Sequence, residues 1–249
     1  MRYLLGVDLG TSGTKTVLFD ETGKVIASKT VEYPLLQPKN GWAEQDPKFW
    51  YDATIESVKA VLLQSKVNSD DVVALSIAGQ MHGLVMLDKD GNVLRNAILW
   101  CDSRTQKQCD EITSLVGKQR LIEINANPAL TGFTAPKILW VRELYKKCTT
   151  ILLPKDYVRY MLTGVKAMEI SDASGTNLLD ITNRVWSDEI LEKLNIDKNL
   201  MPPIIESSAV AGHITKEIAE LTGLKEGTIV AGGAGDNAAA ALGTGVCKE

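Results

Sequence analysis

The chain opens on two short apolar runs joined by a polar, glycine-rich link. Tyr3-Leu4-Leu5-Gly6-Val7 and Thr16-Val17-Leu18-Phe19 read as buried strands, and residues 24–32 as a third strand antiparallel to them. Asp46-Pro47 supplies an N-cap followed by proline at the first helical position. Trp50, Ala53, Val58, Val61 and Leu62 then fall roughly on one face of that helix. Residues 72–78, 84–87 and 97–100 read as strands, and Asp102-Ser103 is placed to cap a helix. Two helices are predicted over 136–147 and 155–162, with a strand at 150–153 between them. Residues 171–208 are mixed and polar, punctuated by Pro202-Pro203. A short helix at 217–222, a strand at 228–231 and a helix start at 236–242 complete the pattern.

A three-stranded meander followed by alternating helices and strands predicts an α/β domain, a mixed sheet with helices on both faces. This is the order expected of a ribonuclease-H-like, actin-type ATPase domain. Periodicity alone does not separate it from other α/β folds.

At 249 residues and 45% hydrophobic, the chain can bury one large core or two smaller ones. A net charge of −4 argues against a general binder of nucleic acid or membrane surfaces. No apolar run is long enough to span a bilayer, and the amino terminus lacks a secretory pattern. Cys101, Cys109, Cys148 and Cys247 form no C-x-x-C pair and no metal spacing, and are expected as free thiols in a reducing cytoplasm.

Three constellations carry chemistry. The first is Asp8-Leu9-Gly10-Thr11-Ser12-Gly13-Thr14-Lys15, a hairpin whose amides and hydroxyls can converge on one anion. Asp8 ends its strand where a carboxylate could hold Mg²⁺ directly or through water. An ordinary hairpin turn accounts for the same residues equally well. A Walker A loop does not, because its spacing is absent and a strand follows. The second is Gly79-Gln80-Met81-His82-Gly83, placed just past a predicted strand, where ligands of α/β sheets gather. Gln80 and His82 offer hydrogen bonds to hydroxyls. A plain turn with a half-buried histidine is the alternative. The third is Gly232-Gly233-Ala234-Gly235-Asp236-Asn237, a carboxylate at a helix start beside glycines. Phosphoryl transfer needs such a positioned base. Asp236 as a simple N-cap is one rival. Another is a dinucleotide fingerprint at Gly233-x-Gly235-x-x-Ala238, disfavoured because only 11 residues follow Ala238.

Five segments recur in a fixed order: Gly6-Val7-Asp8-Leu9-Gly10-Thr11-Ser12-Gly13, Glu44-Gln45-Asp46-Pro47, Gly79-Gln80-Met81-His82-Gly83, Leu153-Pro154-Lys155-Asp156-Tyr157 and Gly233-Ala234-Gly235-Asp236-Asn237. Together they resemble the amino-terminal domain of the FGGY carbohydrate kinases over essentially the whole chain. The Gln-Met-His-Gly turn is more similar to the xylulokinase branch than to glycerol kinases.

The resemblance implies transfer of phosphate from ATP, with Mg²⁺, to D-xylulose, giving xylulose 5-phosphate. A different polyol or sugar (ribulose, gluconate, glycerol) is the alternative, as is an isolated sugar-binding domain without catalysis. Asp236 matches the catalytic base and Asp8 the carboxylate at the phosphate and magnesium end. Gly10, Thr11, Ser12, Gly13 and Lys15 match the phosphate turn. Met81 and His82 match the sugar-binding pair, with Gln80 and Asn237 beside them. Trp42 and Arg104 are candidates for the sugar cleft, a core aromatic and a solvated charge being their neutral readings. Residues 142–148 look shorter than the family counterpart. The resemblance also implies a second, nucleotide-holding domain past residue 249, so the chain is expected to be an excised domain with little kinase activity of its own. A homodimer of the full-length enzyme is left open, and no nucleic-acid or membrane partner is expected.

Overall fold

The computed structural model describes residues 1–246, so the expectation for Cys247 lies outside the described residues. Strands β1 (Tyr3–Leu9), β2 (Gly13–Asp20) and β3 (Val25–Glu32) form the antiparallel meander. Helix α1 (Pro47–Ser65) follows, opened by Asp46, whose carboxylate accepts from the Lys48 amide. Its buried positions include Trp50, Ala53, Val58, Val61 and Leu62, the face that the sequence predicts. Strand β4 (Val72–Gly79) then lies parallel to β1.

The chain returns to this sheet only late, through β5 (Val210–His213), β6 (Ile229–Ala231) and β7 (Ala234–Gly235). The strand order is β5-β6-β4-β1-β2-β3, with β7 also pairing parallel to β4. β6 and β7 are thus two pieces of one line beside β4, interrupted at Gly232-Gly233. Gly233 takes a left-handed φ of 88°, and a Cβ there would collide with the Ile77 carbonyl oxygen. Only glycine fits both demands.

The long excursion between β4 and β5 holds α2 (Gln106–Val116), α3 (Lys118–Asn125), α4 (Thr134–Trp140), α5 (Pro154–Thr163), α6 (Ile170–Ser174) and α7 (Asp188–Lys193). After β5 come α8 (Lys216–Thr222) and, at the end, α9 (Asp236–Gly243). One core lies under the sheet, where Leu5, Val7, Leu18, Leu75 and Ile77 meet Trp50, Val58, Val158 and Ile218. A second lies within the excursion, around Ile112, Leu121, Ile138, Ile190 and Leu194. The opposite face of the sheet presents Ser76 and Ala78, and α9 runs beside it, with Ala239 and Leu242 lining a hollow shared with those residues. Helices therefore flank both faces of a mixed sheet, as predicted.

Between the two cores runs a wall built of Val85–Leu87, Ala97–Ile98 and Thr150–Leu152. Its residues alternate: Leu84, Met86 and Ile98 face one core, Val85, Leu87, Ala97 and Leu99 the other. This is why the sequence reads as unbroken apolar runs there.

Two expectations differ. The helix predicted over 136–147 starts earlier and ends at Trp140, giving way to a 3-10 turn at Arg142–Leu144. Asp102-Ser103 caps nothing. Helix α2 begins at Gln106 with Thr105 at its N-cap and no side-chain cap, because the Asp102 carboxylate is taken by Arg104 and the Ala43 amide.

Candidate active site

The carboxyl ends of β1, β4 and β7 lie side by side, Leu9 opposite Gly79 and Gly79 opposite Gly235. Each strand is followed at once by one of the three constellations. Parallel neighbours sit about 4.8 Å apart, so the hairpin, the Gln80–Gly83 turn and Asp236 are brought to one end of the sheet. A cleft of about 270 Å³ opens there, lined by Met81, His82, Trp100, Asp236 and Asn237.

Asp236 is the first residue of α9, its N-cap being Gly235. Its Oδ1 accepts from the Asn237 amide at 2.7 Å, and its carboxylate lines the cleft. The Asn237 side chain meets the Met81 sulfur at 3.8 Å. His82 sits in the left-handed region, φ 68°, which is costly for a residue with a Cβ. Its own carbonyl is held in place by the Lys137 ammonium at 2.8 Å and the Thr134 hydroxyl at 3.1 Å. Lys137 is fully buried, and burial pulls its pKa down to about 7.

The His82 ring meets the Gly175 carbonyl through Nδ1 at 2.7 Å and packs edge-on against Phe133. A carbonyl only accepts, so Nδ1 carries the proton. Desolvation, helped by the nearby Lys137 charge, moves the imidazole below its ordinary pKa, against the pull of the Gly175 bond. The ring is therefore neutral at pH 7, with Nε2 free to accept from a hydroxyl. Ligand affinity is expected to fall as pH drops below about 6.5, where Nε2 gains a proton. A titration of affinity against pH checks this. A midpoint above the ordinary histidine value would contradict it.

The hairpin between β1 and β2 is shaped from behind. The Tyr33 hydroxyl donates to Gly10 O at 2.6 Å, Gln45 Nε2 to Thr11 O at 2.7 Å, and the Tyr33 amide to Ser12 O at 3.2 Å. Three successive carbonyls are thus drawn into the protein. The Thr11 and Ser12 amides donate to no acceptor among the described residues. This is the polarity an anion nest requires. Asp8 lies opposite Lys15 across the hairpin. Desolvation first, and then the charge of Asp236, push the Asp8 pKa up, while Lys15 opposes them.

Three expected cleft residues sit elsewhere. Gln80 is buried, and its amide is spent on Gln45 Oε1 at 3.1 Å and Gly10 O at 3.4 Å, so it braces the hairpin. Arg104 is no solvated charge: its side chain is 1% exposed and pairs with Asp102 and Glu44, each at 2.6 Å. Its guanidinium lies 3.6 Å from the Trp42 ring centre, and Trp42 stands edge-on to Trp140. Neither lines the cleft. Lys15 also stays outside it, beside Asp8. Conversely, Trp100 was not expected there. It is 48% exposed, and its indole N–H donates to Thr11 Oγ1 at 3.0 Å, joining the cleft to the hairpin. An exposed tryptophan ending an apolar run was the available signal.

The sequence profile described as the FGGY family of carbohydrate kinases, N-terminal domain, matches residues 3–243. The chain belongs to this family. Among curated relatives, a xylulose kinase of Bacillus subtilis (strain 168) is 47% identical over 100% of the chain and 50% of its own length. Among solved structures, a ligand-bound xylulose kinase from Lactobacillus acidophilus superposes with a TM-score of 0.92 at 30% identity, covering 98% of this chain and 50% of that one. A gluconate kinase from the same organism gives 0.89 at 30% identity, covering 94% and 48%. The chain spans about half the length of the curated relatives it matches. FGGY kinases share the actin-like ATPase fold, and this chain has it. Among the described residues no helix is long and apolar enough to cross a membrane, and no group of three or more His, Cys, Asp or Glu could hold a metal ion.

Proposed function

We propose that this FGGY chain carries the sugar site, phosphate turn and catalytic base of a xylulose kinase, which phosphorylates D-xylulose on its 5-hydroxyl. The observation that carries this reading is the convergence of Asp236, His82, Met81, Asn237 and Trp100 on one cleft beside the hairpin nest. Asp236 accepts the proton of the attacking hydroxyl. The freed oxygen bonds to the terminal phosphorus of ATP, the bond from that phosphorus to the bridging oxygen breaks, and ADP leaves with the electron pair. His82 accepts from a second sugar hydroxyl through Nε2, and the Trp100 ring covers an apolar face of the sugar. The Thr11 and Ser12 amides and the hairpin hydroxyls receive the transferred phosphate.

The charge at Asp8 fits a divalent cation: burial, and then the nearby Asp236 carboxylate, raise the cost of ionising Asp8, which a cation would relieve. Mg²⁺ suits such a position, since it keeps several waters and is bound through one or two carboxylates together with substrate phosphates. When bound it neutralises charge building on those phosphates. The adenosine falls to the part of the relatives' length that this chain does not span.

The nearby gluconate kinase fold favours keeping a second sugar in view. The test is a phosphorylation assay and calorimetry on the intact protein with D-xylulose, xylitol, L-ribulose, gluconate and glycerol. D-xylulose is expected to give the highest kcat/KM. If gluconate or glycerol is preferred while D-xylulose gives neither turnover nor heat, the substrate assignment fails.

A further inference from the structure

The segment read from sequence as merely mixed and polar carries an element bonded both to the loop before Asp236 and to His82. Glu169 precedes α6 and is fully buried. Its Oε1 accepts from the Ser207 hydroxyl at 2.6 Å and the Ser171 amide at 2.9 Å. Its Oε2 accepts from the Ser171 hydroxyl at 2.7 Å and the Asp172 amide at 3.2 Å. The Ser171 hydroxyl, its proton committed to Glu169, then accepts from the Gly235 amide at 2.9 Å. Gly235 is the residue before Asp236.

The rest of that loop is gripped from the same side. The Gly233 amide donates to Ser207 O at 3.1 Å, and Arg159 Nη1 donates to Gly232 O at 2.7 Å. Just past the other end of α6, the Gly175 carbonyl receives the His82 Nδ1 proton. A Cβ on Gly175 would lie 2.6 Å from the His82 ring, so the contact needs glycine. One short turn of backbone thus holds the base loop at one end and the histidine at the other. Neither Ser171 nor Glu169 lines the sugar cleft itself.

We propose that Ser171, oriented by Glu169, is a positioning residue that fixes the Gly235–Asp236 step and, through α6, the placement of Asp236 relative to His82. The proposal rests on the kinase reading above. Loss of a positioning contact of this kind shows in turnover more than in substrate affinity, because the misplaced group matters only as the proton moves.

The experiment uses Ser171→Ala and Ser171→Thr in the intact protein, with whichever sugar the parent phosphorylates. Ser171→Ala is expected to lower kcat by about 10- to 100-fold while KM for the sugar changes little. Ser171→Thr, which keeps the hydroxyl, is expected to recover most of it. Hydrogen exchange of the Gly235 amide, read by NMR in the intact protein, is expected to quicken in the alanine variant and not in the threonine one. Unchanged exchange and unchanged kcat in Ser171→Ala overturn the proposal. So does a fall in kcat that tracks a fall in melting temperature and that threonine does not restore. If the parent turns over no sugar, the kinase reading fails, while the exchange measurement still decides whether Ser171 holds the loop.

Discussion

Asp236→Asn is expected to remove sugar phosphorylation and leave the fold intact. The amide oxygen can still accept from the Asn237 amide, as the carboxylate does at 2.7 Å, so the start of α9 keeps its local bond. What is lost is the ability to take a proton from the attacking hydroxyl. A positioned base contributes about 10²–10⁴-fold, and kcat should fall by that factor with the melting temperature nearly unchanged. Steady-state kinetics with a thermal melt decide it. A variant turning over within a few-fold of the parent would remove Asp236 from the base role.

The second large effect is on stability. Lys155, Asp156, Arg159, Glu169 and Asp172 form an ionic cluster buried from solvent. Asp156 Oδ1 is its hub, 2.9 Å from Lys155 Nζ and 2.6 Å from Arg159 Nη1. Burial pushes the Asp172 pKa up although Lys155 pulls the other way, and its carboxylate oxygens accept no hydrogen bond beyond the 3.0 Å approach of Lys155. With Asp172 protonated, two cations face two anions. Asp156→Ala strands one cation in the interior and is expected to cost about 3–5 kcal/mol in urea unfolding. Asp172→Asn imitates the protonated form and should cost far less.

The pH dependence separates the two further. A carboxyl whose folded pKa is raised binds more protons folded than unfolded, so its contribution declines as pH climbs above the ordinary carboxylate range. The parent should lose stability relative to Asp172→Asn over that interval. A parallel pH profile for both, or an Asp156→Ala variant as stable as the parent, would contradict this account of the cluster.

Much of the fold was legible because its signals are local. The β1–β3 meander, α1 with its Asp46 cap, and the strands β4 and β6 all follow from apolar spacing and caps. The misread helix at 136–147 fails for a tertiary reason: Tyr145 folds back so that its hydroxyl donates to Ile138 O, and the chain turns there instead of continuing. At the site, Met81, His82, Asp236 and Asn237 do meet in one cleft. Gln80 and Arg104 do not join them, because what a polar side chain bonds depends on neighbours 35 and 60 positions away in the chain. Ser171 and Gly175 left no local trace for the same reason. Their partners, Gly235 and His82, come from distant segments.

The wall between the two cores has a consequence for how such a chain can vary. Side chains on successive positions of Val85–Leu87 and Ala97–Ile98 serve different interiors. Inserting or deleting a single residue there would exchange the contents of both interiors at once, and no compensating change on one side could repair the other. The partition is therefore locked against shifts in length. Met81, His82 and Trp100 sit at the rim of that locked partition. Diversification of the sugar pocket is left to exchange of side chains at fixed backbone positions.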